Sequence, residues 1–322
     1  MSWLVTGGAG YIGAHVARSL IANGIQPVVF DDLSTGQREF VPAGVSFVEG
    51  SILDTPALEH AIRLHAVTGV MHIAGMKFAS ISVQRPLDAY STNVTGTASV
   101  LAAMSATGVD KIVFSSSAAV YGTPSVDRAV ETTPTRPETP YGESKLAAEW
   151  LIRAQASAVG LRQVSLRYFN VVGAAADGVR DTSPYSLLAL VLAAVSEGRA
   201  PTIFGADYPT VDGTCIRDFV DVGELAKVHA VAASALEEGR VLQPVYNLGV
   251  GHGTTVRQFI DTVSDVLGVE ILPVLGPRRP GDPVKVVAES ELARRDLGWT
   301  GSTPLRESIA RAWAAYSSDE GH

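Results

Sequence analysis

The chain has 322 residues, enough for about two domains, and with 46% hydrophobic and 18% charged residues it can bury a large core and is not a disordered tail. Lys and Arg number 25 against 33 Asp and Glu, a net charge of -8, and no basic face stands out, which argues against a phosphate-backbone grip on nucleic acid. The single cysteine, Cys215, excludes an internal disulfide or a cysteine-rich metal site and suits a reducing cytoplasm.

Strand-like Trp3–Val5 opens the chain directly, with no basic, signal-like segment ahead of it. Strands are predicted there and at Pro27–Phe30, Ser46–Val48, Val70–Ile73 and Lys111–Ser115. Ile12, Val16 and Leu20 form a helical stripe between the first two, ending near Gly24. Strands separated by helices imply βαβ units and a parallel sheet, buried on both faces. Further on, Val164–Phe169 and Val245–Leu248 read as strands, Leu187–Val195 as a buried helix, Val256–Leu267 as an amphipathic helix, Gly276–Pro283 as a stiff loop and Leu305–Tyr316 as a last helix. The longest apolar run, Leu187 to Val195, is too short to cross a bilayer as a helix, so a soluble protein without membrane contact is expected.

Residues 6–13, Thr-Gly-Gly-Ala-Gly-Tyr-Ile-Gly, follow the first strand and open the first helix. Glycines there let the turn tighten and the backbone approach a pyrophosphate, whose charge sits at the helix N-terminus. Asp31 ends the second strand. A carboxylate at that point accepts the ribose hydroxyls of an adenosine and repels a 2′-phosphate, so the predicted cofactor is NAD rather than NADP. Arg38 reads as a solvated charge.

Downstream, Ser115-Ser116-Ser117 ends the fifth strand, and Tyr141 and Lys145 stand at i and i+4 on one helix face. A Lys ammonium favours a phenolate, and a Ser hydroxyl orients a substrate oxygen, which makes Tyr141 a general acid/base for alcohol–ketone interconversion. His15, His60, His65, His229 and His252 lack metal-ligand spacing, no metal is expected, and His72 reads as a core histidine beside the cofactor. Cys215 reads as a packing residue and Glu237-Glu238 as a solvated turn.

Together these motifs resemble the extended short-chain dehydrogenase/reductase family, and within it the UDP-glucose 4-epimerases. The strings HIAGMK (72–77), SVQRP (82–86), FSSSAAVYG (114–122), YGESK (141–145), RYFNVVG (167–173), IFGADYPTVDGTCIRDF (203–219), YNLGVG (246–251) and RRPGD (278–282) carry that resemblance across nearly the whole chain. It implies an α/β fold: a Rossmann-type doubly wound parallel sheet with a smaller α/β substrate-binding domain. Residues 1–173 would form mainly the NAD domain and 174–322 mainly the UDP-sugar domain, with about 206–245 returning to the first.

The implied reaction is NAD-dependent 4-epimerisation of a UDP-hexose. Tyr141 takes the proton of the sugar 4-hydroxyl as hydride passes from C4 to NAD, the 4-keto sugar rotates, and hydride returns to its other face. Catalytic roles fall to Ser117, Tyr141 and Lys145. The resemblance places the cofactor against Gly7, Gly10, Tyr11, Ile12, Gly13, Asp31, Asp32, Ser51, Ile52, Ile73, Ala74, Gly75, Lys77, Asn93, Ser115, Tyr141, Lys145 and Tyr168. It places the UDP-sugar against Lys77, Ser117, Tyr141, Phe169, Asn170, Ser186, Leu187, Thr202, Ile203, Phe204, Arg217, Arg279 and Asp282. A cytoplasmic homodimer is the family expectation.

Departures from the family pattern bear on the sugar more than the chemistry. Ser51 stands where relatives use Asp, Ser186 and Ala189 replace Asn and Pro, Asp221 stands where His is usual, and Val286 holds a position that is aromatic in some relatives. The alternatives are a 4-epimerase of UDP-N-acetylhexosamine or UDP-glucuronate and, in another class, a non-catalytic NAD-binding regulatory protein. Sugar-nucleotide 4,6-dehydratases and decarboxylases use acidic residues where this chain has Ala118 and Ala119.

Overall fold

The structure is a computed structural model and describes residues 1–279 and 281–317. Strands β1 (Ser2–Thr6), β2 (Gln26–Asp31), β3 (Ser46–Glu49), β4 (Gly69–His72), β5 (Lys111–Ser117) and β6 (Arg162–Tyr168) form one parallel sheet in the order β3-β2-β1-β4-β5-β6. Val245–Leu248 completes it as a seventh strand beside β6, with Val245 opposite Ser165. The order reverses beside β1, so the crevice above the strand ends opens between β1 and β4, where doubly wound sheets bind ligands.

Alternation along each strand sorts the side chains. Trp3, Val5, Met71, Val113 and Val164 pack on one face with Val16, Leu20 and Leu225 from the helices Tyr11–Ala22 and Val222–Glu237. Leu4, Phe30, Val70, Ile112 and Phe114 pack on the other with Leu58, Val100, Leu101 and Ile152. A separate core gathers Leu188, Val191, Ile203, Phe219, Phe259, Ile260 and Ile309 from the later part of the chain. The fold is thus the expected Rossmann-type parallel sheet between helical layers.

Predicted strands and helices lie within a residue or two of the observed ones. The Val256–Leu267 helix begins at a capping box between Thr255 and Gln258 and ends at Gly268, whose φ is +67°. The loop expected over 276–283 begins as a strand, because Val274–Gly276 pairs with Thr202–Phe204; Pro280 lies outside the described residues. The Leu305–Tyr316 helix extends to Ser317. Of the segment 206–245, the helix Val222–Glu237 packs on the sheet, whereas Ile216–Arg217 pairs with Thr254–Thr255 and Lys285–Val286.

Candidate active site

The glycine turn between β1 and the Tyr11–Ala22 helix has almost no spare room. Gly7 has φ +71°, and a Cβ there would stand 2.7 Å from the Ala74 backbone nitrogen; one on Gly13 would stand 2.1 Å from the Gly7 oxygen. On Gly10 a Cβ would meet only the Gly7 oxygen, at 3.3 Å. Gly10 caps the helix without a side-chain bond, so the N–H groups of the first turn have no side-chain acceptor from the cap residue.

Asp31 is 8% exposed and is tied to that turn, its Oδ2 accepting from Ala9 N and its Oδ1 from Leu33 N, both at 2.9 Å. Burial pushes its carboxyl up, and the two backbone donors pull it back. Asp32 only caps the following turn, accepting from Ser34. Ser51 likewise accepts from Leu53 N at 3.3 Å, while Ile52 is buried with the core under β1–β2. The Tyr11 phenol donates to the Gly173 carbonyl at 2.6 Å, so this residue offers the crevice its backbone.

Beyond β4, Ile73 N and Ala74 N donate to the Thr6 carbonyl. A Cβ on Gly75 would come 2.6 Å from Asn93 Oδ1 and 3.3 Å from Lys145 Nζ, so both groups face the space over Gly75. Asn93 donates to the Met76 carbonyl and to Ser144 Oγ, yet its Oδ1 is buried with no partner. An acceptor left in that state is costly, and a donor from a bound group would satisfy it.

Thr139 caps the Pro140–Val159 helix, with Pro140 in its first turn. That start presents Tyr141 and Lys145 to the end of β5. Lys145 is 4% exposed, and its Nζ donates to the Ser115 carbonyl at 2.9 Å. Burial pulls it down to about 8, against Glu149, which raises it. Burial pushes the Tyr141 phenol up, and a hydrogen bond with Ser117 pulls the other way. Ser117 also accepts from Ala119 N at 3.1 Å.

Two buried histidines brace this floor. Thr97 Oγ1 donates to the Asn93 carbonyl, so it accepts from His72 Nε2, and His72 Nδ1 accepts from Thr6. His229 Nδ1 donates to the Leu225 carbonyl and its Nε2 accepts from Ser115 Oγ at 3.1 Å. Burial lowers both, to about 3 for His72 and about 4 for His229. Tyr168 lies over His229, and burial and the neighbouring Tyr141 raise its phenol while Ser115 lowers it.

The residues expected to hold a nucleotide diphosphate gather elsewhere. Arg217 bonds the Pro283 carbonyl at 2.7 Å and Asp282 Oδ1 at 3.2 Å. The Arg279 guanidinium stacks 3.7 Å from the Phe204 ring centroid, on the strand Thr202–Phe204 that also carries Ile203. Ser186 caps the helix that Leu187 begins, and Asn170 N donates to the Asp218 carbonyl. Lys77 pairs with Asp181 at 3.7 Å. Phe169 and Val286 share a buried cluster with Ala118, next to Ser117. Asp221 caps the Val222–Glu237 helix and accepts from Ser308 Oγ at 2.8 Å, a structural use for the unexpected carboxylate.

Sequence reasoning passed over Asp218 and Glu149. Asp218 is fully buried and accepts from Val250 N, Gly251 N and Ala288 N. Glu149 is 2% exposed and bonds Ser116 and Arg167. The signal for Glu149 was its place one turn after Lys145 on a helix face that is otherwise buried.

The profile of the NAD dependent epimerase/dehydratase family matches residues 3–249. A UDP-glucose 4-epimerase of Azospirillum brasilense is 43% identical over 313 residues, covering 96% of this chain and 90% of the relative. Among solved structures, the Brucella ovis UDP-glucose 4-epimerase in complex with NAD superposes with TM-score 0.91 at 38% identity, covering 98% of both chains. The Bifidobacterium longum UDP-glucose 4-epimerase, in complex with NAD+ and UDP, superposes with TM-score 0.92 at 32% identity, covering 99% of both.

Proposed function

The chain belongs to the NAD dependent epimerase/dehydratase family, and we propose that within it the chain is an NAD-dependent 4-epimerase of UDP-hexoses, interconverting UDP-glucose and UDP-galactose through a 4-keto sugar. The observation that carries this is the meeting of Ser117, Tyr141 and Lys145 at the end of β5, with Ala118 and Ala119 following Ser117 where a dehydratase needs an acid and a base.

The residues at the crevice fit NAD. The glycine turn opens a helix whose cap makes no side-chain bond and leaves Gly10 open on one side, the Asp31 carboxylate keeps lone pairs for ribose hydroxyls, and Asn93 Oδ1 awaits a donor. A 2′-phosphate would meet the Asp31 charge, which favours NAD over NADP. What NAD supplies there is a place for the C4 hydride, taken from one face of the sugar and returned to the other.

The protein moves the proton. Ser117 fixes the sugar O4 against Tyr141, which takes the O4 proton and later gives it back. Bringing a phenol from about 10 towards 7 requires about 4 kcal/mol of preference for the phenolate. The buried Lys145 ammonium and the Ser117 hydroxyl act in that direction, in a site too dry to screen them. Arg217 and Arg279 suit a diphosphate, which a guanidinium bonds with two parallel N–H groups. We take the enzyme to work as a homodimer in the cytoplasm, whose reducing conditions suit its single, buried thiol.

A second substrate class is favoured by Val286, which is buried with Ala118 and Phe169 beside Ser117. A valine there leaves room for an N-acetyl group that a ring would exclude by overpacking. Assays across UDP-glucose, UDP-galactose, their N-acetyl forms and UDP-glucuronate test both statements. Turnover of the hexose pair is expected, and conversion of none of the five would end the proposal.

A further inference from the structure

Three successive residues of β5 face three successive turns of the Pro140–Val159 helix. Ser117 stands close enough to the Tyr141 phenol to lower it, the Ser115 carbonyl accepts from Lys145 Nζ, and Ser116 Oγ donates to Glu149 Oε1 at 2.5 Å. Tyr141, Lys145 and Glu149 stand four residues apart, on one helix face. Arg167 lies opposite Ser116 in the β5–β6 register and takes the same carboxylate twice, Nε to Oε1 at 2.9 Å and Nη2 to Oε2 at 2.6 Å. Its Nη1 continues to the Tyr121 hydroxyl at 2.9 Å, which donates to Asn247 Oδ1 at 2.7 Å. The Glu149 carboxylate is therefore fixed from β5 and β6 together.

Stability alone does not explain a charge at this depth, since well-packed apolar residues in place of a buried ion pair are often as stable or more so. Its place one turn behind Lys145 does. We propose that Glu149 is a positioning residue for Lys145: clamped by Arg167 and Ser116, it is the fixed counter-charge behind the ammonium and holds the helix so that Lys145 and Tyr141 reach Ser115 and Ser117. This rests on the assignment of Lys145 to the catalytic site. The titratable groups around Lys145 among the described residues are Tyr141 and Glu149, one turn to either side on its own helix, His72 on β4, and His229, which reaches Ser115 Oγ from the Val222–Glu237 helix. Of these, Glu149 is the only carboxylate.

The test reads Lys145 itself. The chain has five lysines, so lysine ε-carbon NMR across pH resolves each one, with Lys145 assigned by its loss in Lys145→Arg. The wild-type midpoint is expected at about 8. Glu149→Gln is expected to lower it by about one pH unit and to move the alkaline limb of turnover with it. Glu149→Asp keeps the charge but withdraws the carboxylate; its midpoint should stay while turnover falls by about tenfold or more at unchanged KM. The double variant Glu149→Gln/Arg167→Met leaves no buried guanidinium without its carboxylate and serves if the single variant does not fold, with the midpoint again expected to fall. An unchanged Lys145 midpoint in Glu149→Gln, or in the double variant where the single one does not fold, overturns the proposal, as does full turnover in Glu149→Asp. A wild type without epimerase activity would count against the proposed reaction and leave the NMR result to decide this point.

Discussion

Replacing Gly13 by alanine separates the structural glycines of the turn from the one that faces the crevice. The new methyl would stand 2.1 Å from the Gly7 oxygen and 2.7 Å from Gly8 Cα, where ordinary contact begins at 3.4 Å. The helix start must therefore withdraw by about 1 Å, against a packed core, at a cost of roughly 1–3 kcal/mol. Alanine's better helix propensity offsets at most about 1 kcal/mol of that. Gly10→Ala meets one atom at 3.3 Å and should leave stability within about 0.5 kcal/mol of wild type. Its methyl stands on the open side of the turn, however, and should weaken NAD by about tenfold or more, since the backbone can no longer approach the diphosphate. Urea denaturation of cofactor-stripped protein and NAD titration give the two numbers. Equal stability of Gly13→Ala and wild type, or full NAD affinity in Gly10→Ala, would refute this account of the turn.

Tyr141→Phe should keep NAD affinity and lower turnover by about 10²–10⁴-fold, the usual loss for an acid/base group; stopped-time product assays and a cofactor titration check it. Acid should destabilise the fold through its buried histidines. His229 falls from the ordinary 6.5 to about 4, so the unfolded chain binds its proton first. The stability this histidine contributes is complete above pH 6.5 and declines as pH falls towards 4, by roughly 3 kcal/mol in all; His229→Gln should flatten that slope in urea melts. Val286→Tyr should lose N-acetylhexosamine turnover and keep hexose turnover. An N-acetyl-active Val286→Tyr enzyme, or a wild type with no N-acetyl activity, would show that this side chain does not set the sugar.

The parallel sheet was legible because its strands are unbroken apolar runs between turns, and the glycine turn because its spacing sits between a strand and a helix. Asp31 could be placed at the end of β2 from sequence for the same reason. Tyr141 and Lys145 declared themselves by helical spacing. The partners that brace them did not, because the Ser116–Glu149–Arg167 contact joins residues from β5, a helix and β6 that are far apart in the chain. Asp221 looked anomalous in sequence; in the structure it caps the following helix through Gly223 N and Glu224 N and also accepts from Ser308, a partner far along the chain. The two-residue strand Lys285–Val286 lay outside any periodicity, since two residues cannot alternate visibly.

The central claim is an epimerisation in which C4 is oxidised and reduced without exchange with water. The most direct measurement is conversion of UDP-galactose carrying deuterium at C4, followed by NMR of the product and by absorbance for NADH. The account predicts UDP-glucose that retains the deuterium at C4, with no accumulation of NADH. Loss of the label to solvent, or NADH accumulating without product, would contradict it.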